Sequence, residues 1–348
     1  MYVSSFFVLS VGKNLKEILL KINNKEKRII PSLYKFISIQ EENNSEIFIN
    51  GNRISKSIIN LEDVTIATFR GEANHFDFTD ETVLNIIGHR GVGQNTSHVL
   101  ENTVESFNMA FDKVEWVELD VQLIQNSVPI VHHDTLFFNK EEYCYFSENK
   151  DKIYKENDKL LPQTLDYVLK NIIKGGKINL EIKYPLFQDS LYLNLLNTKE
   201  DRDSPLLKYF NAALQYDKQK YYLDYDVPTL IDSILNVIYL NNFRNIIFSS
   251  FSPSVLLNLK TRVPQARILL LIDVYLEELV DFCLKVDLSG IVFKFDCLNE
   301  EKIRKLTKVI DVYVYNVKTR HDYDFCMKMG IKGVITDYIN DLLSENDA

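Results

Sequence analysis

Residues 83–123 read VLNIIGHRGVGQNTSHVLENTVESFNMAFDKVEWVELDVQL, and this stretch decides the fold. An apolar run, Val83–Ile87, stops at Gly88-His89-Arg90-Gly91. Val104, Phe107 and Phe111 then recur at helical spacing. A second apolar run, Trp116–Leu123, follows. Strand, helix and strand with a crossover of this length make a parallel βαβ unit. Working toward the C-terminus, the alternation continues. Further strand candidates are Ile178–Ile182, Ile246–Ser249, Ile268–Ile272, Gly290–Phe293, Val312–Tyr315 and Gly333–Thr336. Helical periods run between them: Leu165, Val168, Leu169 and Ile172; Leu230, Ile234, Val237 and Ile238; Leu276, Leu279, Val280 and Cys283. Eight strands alternating with helices over about 265 residues is the arithmetic of a closed α/β (β/α)₈ TIM-type barrel. An open doubly wound sheet is the alternative.

One run breaks the alternation. Val128–Val131 follows the second strand too closely for a parallel crossover, so the link is a hairpin. A turn near Gln125-Asn126 sets Glu118 roughly opposite His133 and Asp120 roughly opposite Val131, to within a one-residue slip.

Working toward the N-terminus, residues 1–80 differ in pattern. Short apolar runs at Phe6–Val11, Ile47–Ile49 and Val64–Phe69 are split by polar stretches such as Glu41-Glu42-Asn43-Asn44-Ser45. They predict a small β-rich segment ahead of a barrel domain at 81–348. The 348 residues hold both, since a barrel takes about 250. With 46% hydrophobic and 26% charged residues, the chain is not disordered. A net charge of -9 argues against nucleic acid or anionic membrane as the main partner. No apolar stretch approaches the roughly 20 residues of a transmembrane segment. Tyr2 to Val11 lacks a basic flank and a cleavage site, so it reads as a buried strand. The four cysteines, Cys144, Cys283, Cys297 and Cys326, show no C-x-x-C spacing. They fit a reducing compartment and a cytoplasmic location. Residues 185–226 form a long connection rich in Tyr, Asp and Lys, read as a lid or a mobile loop.

Chemistry gathers at the strand ends, where barrel active sites sit. His89 is able to transfer protons, and Arg90 to bind a phosphate or carboxylate in a bidentate manner. An exposed turn is the bland alternative. Glu118 and Asp120 stand at i and i+2 on an apolar strand, so they share a face. Buried like charges are costly without a cation, and Mg²⁺ or Ca²⁺ prefers such oxygens. Glu181 and Lys183 repeat the spacing, one a candidate metal ligand and one a cation. For both pairs a strand end reaching water is the alternative. His133-Asp134 suits an oriented acid/base or a structural turn. Zinc on His132 and His133 is disfavoured, because neighbours on a strand face opposite sides. Asn102 with Glu105 resembles a capping box, and Glu101 either serves that cap or reaches the site. With a dication, Glu118, Asp120, Glu181, Arg90 and Lys183 sum to a single positive charge, which suits a phosphodiester anion.

IIGHRGVGQN, ENTVESFNMAF, WVELDVQLIQNSVPIVHHD, LPQTLDYVL, NLEIKYP, IIFSSFSP and GVITD occur in order over residues 86–337. The series resembles the glycerophosphodiester phosphodiesterase family. The forms GHRGVGQN and NLEIKYP are similar to its eukaryotic branch, which cleaves glycerophosphocholine and other water-soluble deacylated phospholipids. The resemblance implies a barrel of the phosphatidylinositol-phospholipase-C-like kind and a small-molecule glycerophosphodiester substrate. It implies His89 and His133 as the acid/base pair and Glu118, Asp120 and Glu181 as ligands of a divalent metal. It implies Arg90 and Lys183 as phosphate contacts and Glu101 near the metal or the histidines. Products would be sn-glycerol 3-phosphate and an alcohol. The nucleophile would be water or the substrate's own glycerol 2-hydroxyl, the latter favoured.

The chain departs from the family in places. The family's Trp-Thr-Val-Asn is here Tyr313-Val314-Tyr315-Asn316-Val317, with Tyr315 keeping an aromatic wall. The hairpin turn, Ile124-Gln125-Asn126-Ser127, lacks glycine. Rival readings are a lysophospholipase D-type enzyme on a lipid, a non-catalytic metabolite-binding barrel, and an N-terminal module as the main functional unit. The sequence sets no oligomeric state.

Overall fold

Inward and outward positions alternate along the barrel strands, and the alternation positions the site. In the computed structural model the described residues are 2–11, 15–22, 25–30, 35–41, 46–50, 52–53, 58–61, 64–73, 76–93, 98–124, 127–134, 136–138, 143–145, 154–156, 159–186, 188–189, 191–192 and 225–344. Eight parallel strands form the barrel: Asn85–Gly88, Trp116–Ile124, Lys177–Ile182, Ile246–Ser250, Ile268–Ile272, Gly290–Lys294, Asp311–Tyr315 and Gly333–Thr336. The eighth pairs the first from Gly333↔Asn85 to Thr336↔Gly88, and the first pairs the second through Trp116↔Ile87, so the sheet closes. The open doubly wound alternative is thereby excluded.

Ile178, Leu180 and Ile182 face outward into the layer shared with the helices. Ile87, Trp116, Ile247, Leu269, Leu271, Val292, Tyr313 and Ile335 fill the barrel interior. Helices begin where the side-chain chemistry directs: Thr103, Thr164, Asp226, Ser252, Asn299 and Thr319 each accept from a backbone N–H of the first turn.

Two local expectations need correction and a third is sharpened. The first strand runs Asn85–Gly88, later than Val83–Ile87, because pairing with the eighth strand begins at Asn85 and leaves Val83 exposed. The hairpin closes at Ile124↔Val128 with Val121↔Val131. Asp120 therefore stands level with His132, whose N–H donates to its carbonyl, which fixes the register at the one-residue slip the expectation allowed. The loop between Ile124 and Val128 is longer than a two-residue turn, and Ser127, with φ 57°, takes the left-handed conformation that such loops usually give to glycine. Gln125 and Asn126 lie outside the described residues. The cap of the first barrel helix, Val104–Phe111, is Thr103 and not Asn102.

The N-terminal segment is β-rich, as expected. Tyr2–Val11 is a strand lying between Phe36–Glu41 and Val64–Glu72 in one four-stranded sheet. A second four-stranded sheet contains Ile18–Ile22 and Ile47–Ile49. Phe6, Val8 and Ile66 from the first sheet pack with Ile18, Leu20, Ile47 and Ile49 from the second. The other face, with Phe7, Ala67 and Phe69, joins the barrel core, and Phe7 meets Phe282 edge-on at 5.4 Å. Arg262, fully buried on the helix Pro253–Arg262, donates to Asp232 at 2.6 Å, to Asn258 at 2.7 Å and to the Arg70 carbonyl at 3.1 Å. A Cβ at Gly71 would sit 2.6 Å from the Arg262 guanidinium carbon, so only glycine lets the strand come this close.

Among the described residues no helix is long and apolar enough to cross a membrane. Most of the 185–226 connection lies outside them. Its start is pinned by Asp189, which accepts from Ser252 Oγ and Ser254 Oγ, each at 2.5 Å, and from the N–H groups of Leu191, Tyr192 and Ser254.

Candidate active site

Three carboxylates converge because of strand parity. Glu118 and Asp120 project inward from the second strand and Glu181 from the third, with Asp120↔Glu181 and Glu118↔Asn179 in register. All three are buried, and one oxygen from each lies within 4.8 Å of the others. Lys183 donates to Asp120 Oδ1 at 3.0 Å and to Glu181 Oε1 at 2.5 Å.

The loop after the first strand seats Arg90 against this cluster. Arg90 has φ 51° and Gly91 φ 98°, and a Cβ on Gly91 would lie 2.2 Å from Ser106 Oγ. Ser106 Oγ donates to the Arg90 carbonyl and accepts from Val92 N–H, each at 3.0 Å, tying the loop to the helix N-terminus. The Arg90 N–H donates to Glu118 Oε2 at 3.0 Å. Its guanidinium donates to Glu101 Oε1 at 2.9 Å, and its Nε lies 3.4 Å from Asp120 Oδ2. Glu101 thus bonds to the arginine, and its charge also acts on His132.

His89 Nδ1 donates to Asp337 Oδ1 at 2.6 Å, and its Nε2 lies 3.9 Å from Glu118 Oε2. His133 Nδ1 donates to Asp134 Oδ1 at 2.7 Å. His89, Arg90, Glu118, His133, Glu181, Lys183 and Tyr315 all line one cavity of about 260 Å³. Asp120 sits beneath it, ion-paired with Arg90 and Lys183.

The electrostatics are unbalanced in an informative way. Burial, and then the charges of Asp120 and Glu181, raise the pKa of Glu118 against the pull of His89 and Arg90. Burial also opposes ionisation of Asp120, yet Lys183, His133, Arg90 and a hydrogen bond from Asn102 hold its pKa well below the usual range. For His89 burial works against the charged form, but the Asp337 hydrogen bond and the charge of Glu118 outweigh it and raise the pKa. Among the described residues, Glu118 Oε1 is buried with no hydrogen-bond partner, and so are both side-chain polar atoms of Asn179 beside it. Orphaned oxygens among crowded carboxylates fit a hard divalent cation, whose charge relieves the repulsion and whose shell takes oxygen ligands.

Sequence reasoning missed three residues. Asn102, with φ 58°, donates from Nδ2 to Asp120 Oδ2 at 2.9 Å and accepts from the Asp120 N–H. Asp337 orients His89, and its signals were its place just past the eighth strand and as the last residue of GVITD, neither of which assigned it a role. Asn179 lines the cavity two residues before Glu181, at the spacing that already flagged Lys183.

A barrel mouth that sets two arginine- and lysine-type cations and two aspartate-oriented histidines over clustered carboxylates is equipped to work on an anionic ester. Residues 89–341 match the glycerophosphoryl diester phosphodiesterase family, and the chain belongs to it. Its relatives include the chloroplastic glycerophosphodiester phosphodiesterase GDPD1 of Arabidopsis thaliana, 28% identical over 74% of this chain and 79% of that protein. The glycerophosphocholine phosphodiesterase GDE1 of Candida albicans is 26% identical over 73% of this chain and 28% of that much longer protein. A solved Oleispira antarctica phosphodiesterase, in complex with the product sn-glycerol 3-phosphate, shares the fold with a TM-score of 0.57 at 17% identity, covering 76% of this chain and 98% of that one. The chain is a glycerophosphodiester phosphodiesterase.

Proposed function

We propose that the substrate is a water-soluble deacylated phospholipid of the glycerophosphocholine kind, cleaved to sn-glycerol 3-phosphate and an alcohol. The observation that carries this reading is a cavity of about 260 Å³ lined, among the described residues, by both histidines, both cations and two of the three carboxylates. It falls below the roughly 300 Å³ lower bound of drug-sized ligand pockets. That suits a small diester better than a lysolipid with its acyl chain. The Oleispira enzyme's product and the Candida relative's name point the same way.

Glu118, Asp120 and Glu181 would hold the divalent cation, Mg²⁺ or Ca²⁺, with Asn179 turned toward the same space. When bound, that cation supplies positive charge to the phosphate oxygens. Arg90 and Lys183 bind the remaining anionic oxygens and stabilise the charge that grows in the transition state. Glu101 keeps the guanidinium of Arg90 in place. Asp337 and Asp134 hold the Nδ1 protons, so His89 and His133 have Nε2 left for proton transfer. One imidazole takes a proton from the attacking hydroxyl, and the other gives one to the leaving alcohol. The attacking group is the glycerol 2-hydroxyl, so a cyclic phosphate forms first and water opens it in a second step.

Described cysteines Cys283, Cys297 and Cys326 are free, which supports the reading of a reducing, cytoplasmic setting. Phosphorus NMR of glycerophosphocholine turnover, run beside lysophosphatidylcholine, tests the substrate class. Faster cleavage of the deacylated diester, with a transient cyclic phosphate, is expected. Preference for the lysolipid would overturn the reading.

A further inference from the structure

Opposite the carboxylates, the barrel mouth carries side chains that the phosphate chemistry leaves unused. In a closed ring of eight strands, the fifth to seventh stand across from the first to third. Phe251 follows the fourth strand, Asp273 follows the fifth, and Tyr315 ends the seventh, and all three line the cavity. The Tyr315 hydroxyl donates to Asp273 Oδ1. The rings of Phe251 and Tyr315 meet at 89° with centroids 6.5 Å apart, forming a corner that Leu271 extends. Phe251 is held from both sides. Ser250 Oγ donates to the Ile182 carbonyl at 2.7 Å, and Ser252 Oγ donates to Asp189 at 2.5 Å.

This wall offers one carboxylate, two rings, the alkyl side chain of Leu271 and, next to Tyr315, the single amide of Asn316. The Tyr315 proton is committed to Asp273, so the hydroxyl is not a free donor. A polyol needs several donors and acceptors in pairs, and Asn316 is the one amide on this wall among the described residues, while an anionic group would meet the carboxylate. A quaternary ammonium has no N–H to satisfy and spreads its charge over methyl groups. It takes aromatic faces and a nearby anion. Lys294 and Lys183 act on Asp273 through their charge, yet among the described residues neither forms an ion pair with it. Lys183 is engaged by Asp120 and Glu181.

We propose that Phe251, Asp273 and Tyr315 form the leaving-alcohol subsite and select a cationic alcohol of the choline type. The inference rests on the phosphodiesterase reading above and assigns it a headgroup. The test compares kcat/KM for glycerophosphocholine and for glycerophosphoglycerol, whose leaving alcohol is neutral, in the wild-type full chain, Asp273→Asn and Phe251→Leu. Calorimetric titration with choline chloride accompanies it. The wild type prefers glycerophosphocholine. Each variant loses about tenfold more on it than on the neutral diester, Phe251→Leu by forfeiting a cation–aromatic contact and Asp273→Asn by forfeiting the facing charge. Choline binding weakens in step. Parallel losses on both diesters, with choline binding unchanged, would overturn the subsite. A wild type that cleaves neither diester would sink the phosphodiesterase reading, while the choline titration would still decide the subsite.

Discussion

His89 Nδ1 and Asp337 Oδ1 lie 2.6 Å apart across the seam where the eighth strand meets the first. The carboxylate only accepts, so Nδ1 carries the proton and Nε2 is left toward the cavity and Glu118. Residues some 250 positions apart in sequence are thus joined by barrel closure. Asp337→Asn is expected to lower kcat by roughly 10²–10⁴-fold, the range for a general acid/base whose tautomer is no longer enforced. KM should move far less. Steady-state kinetics on glycerophosphocholine check this, and a wild-type kcat would remove Asp337 from the account.

The same bond makes a stability prediction with a definite sign. The native pKa of His89 is raised, so the folded chain binds that proton more tightly than the unfolded chain does. The stabilisation is complete below the ordinary histidine value of roughly 6.5 and fades as pH climbs through the raised native value. Asp337→Asn removes the negative charge, and with it the charge-assisted hydrogen bond, that raise it. In urea denaturation with chelator present, the variant's deficit relative to wild type should be larger at about pH 5.5 than at about pH 8.5. A deficit that grows with pH would contradict the assignment.

Cation binding should be visible without turnover. A ligand that binds only the native state raises the melting temperature. Mg²⁺ or Ca²⁺ should therefore stabilise the wild type, and Glu181→Gln should lose most of that shift because one of three converging oxygens has lost its charge. Calorimetric titration should show the variant's cation affinity reduced by about tenfold or more, on the scale seen when a metal site's supporting groups are removed. Equal shifts in both proteins would place the cation elsewhere.

Arg262 braces the N-terminal sheet against the barrel far from the catalytic mouth. Arg262→Ala deletes bonds to Asp232, Asn258 and the Arg70 carbonyl. Asp232 stays largely solvated, so the loss should be about 2 kcal/mol and not that of a fully buried ion pair. We propose that the division near residue 80 is one of pattern and not of independent folding. Truncation there strips cover from Phe282 and Arg262, so the shortened chain should unfold at lower urea or aggregate. Unchanged stability would show two independent units.

The barrel was legible because its strands are short apolar runs with clear helical periods between them. Strand parity was enough to place Glu118, Asp120, Glu181 and Lys183 on one wall. Parity says nothing about loops, and there the reading slipped. The hairpin register turned on Ser127 adopting a positive φ, which a non-glycine residue does not advertise. Asn102 resembled a cap, since capping and ligand-holding use the same side-chain amide, and only the fold shows it bonded to Asp120. Asp337 required knowing that the last strand closes on the first. The N-terminal strands were visible, but their seat on the barrel depends on Gly71 and Arg262, a pair with no local pattern to link them.

The central claim is that the cavity cleaves glycerophosphocholine with the help of a cation at Glu118, Asp120 and Glu181. The most direct measurement incubates the purified full chain with glycerophosphocholine and Mg²⁺ or Ca²⁺, with and without chelator, and assays glycerol 3-phosphate and choline. The account predicts equal release of both products, abolished by chelator and reduced roughly 10²–10⁴-fold in His133→Ala. Undiminished release in excess chelator, or full activity in His133→Ala, would contradict it.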